Sequence, residues 1–77
     1  MQNMKALALI RIKGQSSPQK GIQAILKVQG VEMAFPVFGR FDAVALLSAE
    51  NLEKLKETVL KIRAVEGVKK TETLIQV

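Results

Sequence analysis

The order of apolar and polar positions divides the chain into strand-like and helix-like segments. Residues 5–12 and 41–48 are apolar on both of their alternating faces, which is typical of central strands that are covered on both sides. Residues 31–38 and 68–77 predict edge strands. Pro36 cannot donate a hydrogen bond to a sheet, and the last segment is the most polar of the four.

Two segments between these strands have helical spacing. In the first, Ser17 and Pro18 supply a hydroxyl N-cap and a proline in the first helical position. In the second, Ser48 is the expected N-cap, and a single apolar stripe follows it. The apolar positions are Ile22, Ile25 and Leu26 in the first helix and Leu52, Leu55, Val59 and Ile62 in the second.

The two halves of the chain repeat each other. The stretches ILKVQGVEMAFPVF and IRAVEGVKKTETLI align with Gly30 over Gly67, a period of 37 residues, and each glycine ends a helical segment. Two β-α-β halves of this size predict an α+β, ferredoxin-like β-α-β-β-α-β fold. We expect one domain over residues 1–77, an antiparallel sheet in the order 4-1-3-2, and both helices on one face. Gly39 and Arg40 are the expected two-residue hairpin turn.

The second face of this sheet has no cover in a single copy. Two helices cover only one face of a four-stranded sheet, yet the central strands are apolar on both faces. A chain of 77 residues is also marginally stable alone, and without Cys it has no disulfide to stabilise it. An exposed apolar face marks an interface, so we expect a homodimer that forms through the sheet by twofold symmetry.

The composition argues against several classes of function. Without His or Cys the chain lacks the commonest general base, the commonest metal ligands and a thiol nucleophile, so we expect no enzyme, no metal and no cofactor. The net charge of +5 is spread along the chain and the only aromatic residues are three Phe, so we expect no direct binding of nucleic acid. No run approaches the roughly 18 apolar residues of a membrane span, and we expect a cytoplasmic protein.

Asp42 is an acid at the mouth of a predicted central strand, and two interpretations of it are open. In the first, its carboxylate accepts backbone N–H bonds and stabilises the turn. In the second, the carboxylate binds an ammonium group while free amides of the turn bind a carboxylate. The second arrangement would suit an amino acid.

At these residues the sequence resembles a known family. The stretches VFGRFDAVALLSAENLEKL and VEGVKKTETLIQV carry a Gly-x-Phe-Asp turn and a Thr-x-Thr pair, in the order and at the separation seen in the effector (RAM) domain of Lrp/AsnC transcription regulators. The resemblance covers nearly the whole chain. It implies a ferredoxin-like fold, dimers joined through their sheets, and rings of four or five dimers, that is, octamers or decamers, with an amino-acid effector bound between dimers.

The same resemblance implies a set of ligand-binding residues. Phe38 replaces the Thr or Ser of many members and Phe41 lacks a tyrosine hydroxyl, so two polar contacts of the family are absent. The family's helix-turn-helix domain has no counterpart in these 77 residues, so we expect a stand-alone form of the domain that joins a full-length Lrp/AsnC regulator. The implied site residues are Gly39, Arg40, Phe41 and Asp42 in the turn, Glu50 after the third strand, and Thr71 and Thr73 on the last strand.

Three functions are compatible with these features. The first is an amino-acid-sensing oligomerisation module that modulates Lrp/AsnC regulators. The second is a structural adaptor that joins such a regulator and binds no effector. The third is an ACT-like amino-acid-binding module, which would place a Gly-rich ligand loop after the first strand, where this chain has KGQSSPQKG. An enzyme on the same fold is disfavoured by the absence of His.

Overall fold

Six elements follow one another along the chain. The computed structural model describes residues 3–13 and 18–77. The elements are β1 (Met4–Ile12), α1 (Pro18–Leu26), β2 (Val31–Pro36), β3 (Ala43–Ala49), α2 (Leu52–Arg63) and β4 (Val68–Ile75). This order confirms the predicted β-α-β-β-α-β fold.

The four strands form one antiparallel sheet in the order β2-β3-β1-β4. Read from the opposite edge, this is the predicted order 4-1-3-2, which is confirmed. The two strands that are apolar on both faces, β1 and β3, are the central ones, as predicted. The register places Leu7 of β1 between Leu46 of β3 and Leu74 of β4.

One face of the sheet and the two helices enclose the core. The residues of β1 and β3 on this face are mostly alanines, which lets the helices pack close to the sheet. Larger side chains of both helices fill the space between the layers. The fully or nearly fully buried apolar residues are Ala6, Ala8, Ile10, Ala43, Ala45, Leu47 and Ala49 of the sheet and Ile22, Ile25, Leu55 and Ile62 of the helices.

The start of α2 differs from the prediction. Ser48 lies within β3, opposite Lys5 of β1, so its prediction as the N-cap was wrong. The N-cap is Asn51, whose side-chain oxygen accepts the N–H of Lys54 at 2.9 Å. The strand extends through Ser48 because β1 offers it a hydrogen-bonding partner as far as Met4. The cap therefore passes to Asn51, the next residue of a type that is strongly preferred at the N-cap.

The buried face of α2 is rotated relative to the predicted stripe. Leu52 is 44% exposed, whereas Thr58 is buried at 6% exposure between Leu55 and Ile62. At the start of α1, Ser17 lies outside the described residues, and the helix begins at Pro18 as expected. No helix in the described part of the chain is long and apolar enough to cross a membrane.

Candidate functional site

The loop between β2 and β3 is longer than predicted. Six residues, 37–42, connect the two strands, so the prediction of a two-residue turn at Gly39 and Arg40 was wrong. The N–H of Val37 donates to the carbonyl of Asp42 at 3.0 Å and closes a four-residue loop over residues 38–41. Gly39 has a φ of +116°, a conformation that favours glycine. The N–H groups of the loop residues 38–41 make no backbone hydrogen bond within the described chain.

Asp42 attaches this loop to the end of β1. Its N–H donates to the carbonyl of Ile10 at 2.8 Å, and its Oδ2 accepts the N–H of Ile12 at 2.8 Å. The pairing of β1 with β4 shifts register between Arg11 and Ile12, so the carboxylate binds β1 where the strand becomes irregular. Asp42 therefore accepts a backbone N–H, although from β1 and not from the turn. No described residue donates to its second oxygen, Oδ1.

A cleft of about 440 Å³ lies beside the loop. It is lined by Pro36, Val37, Phe38 and Asp42, so its lining is mainly apolar and contains one acidic residue. Phe38 is fully exposed at its rim. Arg40 is exposed and Phe41 is half-buried. The cleft thus combines an apolar wall with one acidic residue, and Phe38 is the one residue of the 38–41 loop among those that line it.

The two threonines lie on the far side of β1. Thr71 pairs with Ile10 and Thr73 with Ala8, and both are half-buried on the helix-covered face of β4. Thr71 is the closer of the two to the Asp42 loop, because Ile10 also accepts the Asp42 N–H. β1 separates both threonines from β3. The structure therefore places them near the same end of the sheet as Asp42 but not beside it.

Glu50 lies at the opposite end of the sheet. It follows Ala49, which pairs with Met4, whereas Asp42 precedes Ala43, which pairs with Ile10. At a rise of about 3.3 Å per residue, the eight steps along β3 separate Asp42 from Glu50 by roughly 25 Å. A single copy of the chain therefore does not bring Glu50 to the Asp42 loop.

Glu50 instead lines a second, polar cleft of about 380 Å³, which sequence reasoning did not predict. The hydroxyl of Thr58 forms its inner wall, 3.1 Å from the carbonyl oxygen of Gln29 and 3.2 Å from that of Lys54. Gly30 has a φ of +100° there, and a Cβ on it would lie 2.5 Å from the Thr58 hydroxyl. The only sequence signal was a threonine three residues after Leu55 and four before Ile62, within the apolar stripe.

The sheet face opposite the helices is the third candidate surface, and we call it the open face. Its middle is apolar: the edge-strand side chains Met33 and Leu74 are 51% and 53% exposed, whereas the residues of the central strands between them are mostly half-buried. A shallow cleft of about 400 Å³ lies at its β4 side. At one end of the face, Lys5 Nζ lies 2.8 Å from Glu32 Oε1. The predicted apolar face without a cover is therefore present. The residues of the open face are Lys5, Leu7, Leu9 and Arg11 of β1, Val44, Leu46 and Ser48 of β3, Glu32, Met33 and Phe35 of β2, and Lys70, Glu72 and Leu74 of β4.

The described part of the chain contains no group of three or more acidic side chains that could hold a metal ion, and the sequence has no His or Cys.

Comparison with protein families supports the resemblance. The model of the family described as the Lrp/AsnC ligand binding domain matches residues 5–77. The HTH-type transcriptional regulator LysM of Sulfurisphaera tokodaii is 25% identical over 72 residues, which are 94% of this chain and 51% of that protein. LysM of Saccharolobus solfataricus is 24% identical over the same shares of both chains. The chain spans about half the length of these curated relatives.

Solved structures have the same fold. TTHA0845 from Thermus thermophilus superposes with a TM-score of 0.87 at 33% identity, over 96% of this chain and 92% of that chain. The feast or famine regulatory protein Rv3291c from M. tuberculosis, solved in complex with L-methionine, superposes with a TM-score of 0.81 at 22% identity, over 96% of this chain and 50% of that chain. At that identity the second likeness shows a shared fold alone.

Proposed function

Because the chain belongs to the Lrp/AsnC ligand-binding domain family, we propose that it is an effector-binding and oligomerisation module that modulates transcription regulators of this type. A free amino acid is the proposed effector, a full-length Lrp/AsnC regulator is the proposed partner, and the cytoplasm is the proposed location. The module itself does not bind DNA. The relatives carry this domain as a regulatory part and not as an enzyme.

The open face is the observation that carries the proposal. Its large apolar side chains stay exposed in one copy, and patches of this kind mark interaction sites. A second copy related by twofold symmetry covers the face with an identical one, since a twofold interface uses the same patch on both subunits. Dimers of this kind then assemble further into octamers or decamers.

The Asp42 loop is the proposed contact for the effector. The carboxylate of Asp42 keeps one oxygen free for an ammonium group, and the amides of the loop suit a carboxylate. Thr71 and Thr73 lie near the same end of the sheet but across β1 from the loop, so they contribute to the proposed site only at its periphery. Since Glu50 lies at the other end of the sheet, it joins this site only from a different copy. The proposed site therefore forms between copies of the chain, and the boundary between dimers is the place that the family resemblance implies.

A structural adaptor without effector is the second candidate. Two observations favour it. The carboxylate of Asp42 already holds the N–H of Ile12, and Phe38 presents an apolar ring where a ligand of polar character would approach. Loop and cleft would then serve only contacts between copies of the chain or with a regulator.

Light-scattering mass measurement separates these functions. We expect a mass of at least a dimer at micromolar concentration and a change of mass with one or a few of the twenty amino acids. Leu46→Glu places a charge in the centre of the open face and should give a monomer. Dimer formation would bury this charge without a partner, at a cost on the order of several kcal/mol. Leu60→Glu is the matched control, since Leu60 is exposed on α2 at 61%.

Two outcomes would count against the proposal. A wild-type chain that stays monomeric at micromolar concentration removes the dimer. A mass that no amino acid changes, together with no heat of binding in calorimetry, favours the adaptor.

A further inference from the structure

Three charged side chains on the open face form no ion pair within the described chain. The ion pairs among the described residues are Lys5–Glu32 and Lys54–Glu57, and neither includes Arg11, Lys70 or Glu72. Arg11 of β1 lies directly opposite Lys70 of β4, and two like charges in this position destabilise a sheet. The face thus carries an unbalanced group of charges at the end where β1 and β4 meet.

Glu72 is the exception in an otherwise apolar centre. Two rows of residues cross the middle of the open face, each with one residue from every strand. Glu72 is the single charged residue in them. Any cover on these rows removes water from its carboxylate, which is costly unless a cation pairs with it. The rows are Met33, Leu46, Leu7 and Leu74, and Phe35, Val44, Leu9 and Glu72.

We propose that Glu72 of one copy forms an ion pair with Arg11 of a second copy across the open faces. This inference rests on the proposed dimer and specifies how its two sheets are placed. Because the contact is repeated by the twofold axis, each dimer contains two such pairs. The pair neutralises the one charge that the interface would otherwise bury alone.

The geometry of the face is compatible with this contact. Neighbouring strands lie about 4.8 Å apart, and alternate residues lie about 6.7 Å apart along a strand. A twofold axis that runs diagonally across the centre of the face sets the strands of the two sheets at about 70° to each other, close to the known orthogonal packing class. When both sheets are projected onto one plane, this axis places Glu72 of one copy within about 3 Å of Arg11 of the second copy. The same axis places Leu9 on Leu9 and Leu46 on Leu46.

Arg11 is a better partner than Lys70 for two reasons. Arg11 belongs to the central strand β1, whereas Lys70 lies on the edge strand at the corner of the face. The guanidinium group is also the more suitable cation for an interface, since it binds a carboxylate through two parallel hydrogen bonds. A pair within one chain is the alternative, since Glu72 and Arg11 are diagonal neighbours at about 8 Å. No such pair forms among the described residues of the single chain.

Charge-reversal variants, measured alone and as a mixture, distinguish an ion pair between two copies from an ion pair within one chain. We expect Glu72→Lys alone and Arg11→Glu alone to raise the dimer dissociation constant by roughly ten- to a hundredfold, because each creates two repulsive contacts in place of two attractive ones. An equimolar mixture of the two variants should regain wild-type affinity as a heterodimer, since both of its contacts are then attractive. Analytical ultracentrifugation gives the dissociation constants and native mass spectrometry identifies the heterodimer.

Control variants make the outcome specific. Glu57→Lys and Lys54→Glu reverse the same charges on α2 and should leave the dissociation constant unchanged. Glu72→Gln, which keeps the shape of the side chain, should weaken the dimer about two- to fivefold and reduce its dependence on salt. Rescue only when both reversals are in one chain, and none on mixing, would show a pair within one chain and overturn the inference. A monomeric wild type refutes the proposed dimer itself, whereas a wild-type dimer that is insensitive to Glu72→Lys refutes only the ion pair.

Discussion

Replacing Asp42 by alanine tests whether this residue is primarily a structural anchor of the loop. The substitution removes the acceptor of the Ile12 N–H, a charge-assisted bond of 2.8 Å in a half-buried position. Loss of such a bond typically costs about 1–3 kcal/mol. For a domain of this size, a loss of about 2 kcal/mol lowers the Tm by about 8–16 °C. We therefore expect Asp42→Ala to be measurably less stable.

Asp42→Asn separates the structural role from the ligand role. The amide oxygen of Asn can still accept the Ile12 N–H, so we expect it to lose less than about 1 kcal/mol of stability. It carries no negative charge, so it should bind an ammonium group as poorly as Asp42→Ala does. Effector affinity should fall by roughly ten- to a hundredfold in both variants, as expected when a charge-assisted hydrogen bond is lost.

Urea unfolding followed by circular dichroism measures the stabilities, at one fixed protein concentration because the stability of an oligomer depends on concentration. Glu66→Ala is the matched control, since Glu66 is an exposed acid without an ion pair in the described chain. A stability of Asp42→Ala equal to that of Glu66→Ala would refute the anchoring role. An effector affinity of Asp42→Asn equal to wild type would remove the carboxylate from the site.

Two further predictions concern the polar cleft around Thr58. Gly30→Ala should be destabilised by at least about 1 kcal/mol more than Gly39→Ala. Both positions have positive φ, but only at Gly30 does the new Cβ meet an atom, the Thr58 hydroxyl at 2.5 Å. Equal losses of stability in urea unfolding would show that backbone conformation alone is responsible. Thr58→Val should lose about 1–3 kcal/mol of stability, because it leaves the Gln29 carbonyl without its donor. Thr58→Ser keeps the hydroxyl and should lose less. A larger loss for Thr58→Ser than for Thr58→Val would indicate that the methyl group contributes more to stability than the hydrogen bond.

The fold was predictable because the strongest signals in the sequence were consistent with one another. Strands that are apolar on both faces had to be central, and a strand containing Pro36 had to lie at an edge. The repeat around Gly30 and Gly67 fixed the number of elements, and both glycines do have positive φ. These features depend on burial of whole faces, which the periodicity of a sequence records directly.

The errors concern positions that the tertiary structure decides. Gly39 and Arg40 match the pattern of a tight turn, yet the last strand pair is Pro36 with Ala43 and the loop is fixed by the Asp42 bonds to β1. Ser48 matches the pattern of an N-cap, yet β1 extends far enough to hold it in a strand. In both cases a distant segment supplied the hydrogen bonds, and local residue preference carries no information about it.

The candidate site shows the same limit at a larger scale. The family resemblance implies that Asp42 and Glu50 belong to one site, but a single chain holds them roughly 25 Å apart at opposite ends of β3, given the rise of a strand. An effector that contacts both must therefore bind between copies. Binding and assembly are then linked. The factor by which the effector raises the association constant of the copies equals the factor by which assembly raises the affinity for the effector. The change of mass during an effector titration measures that factor, whereas an effector that binds without changing the mass would lie within one copy, at the Asp42 loop or in the Glu50 cleft but not at both.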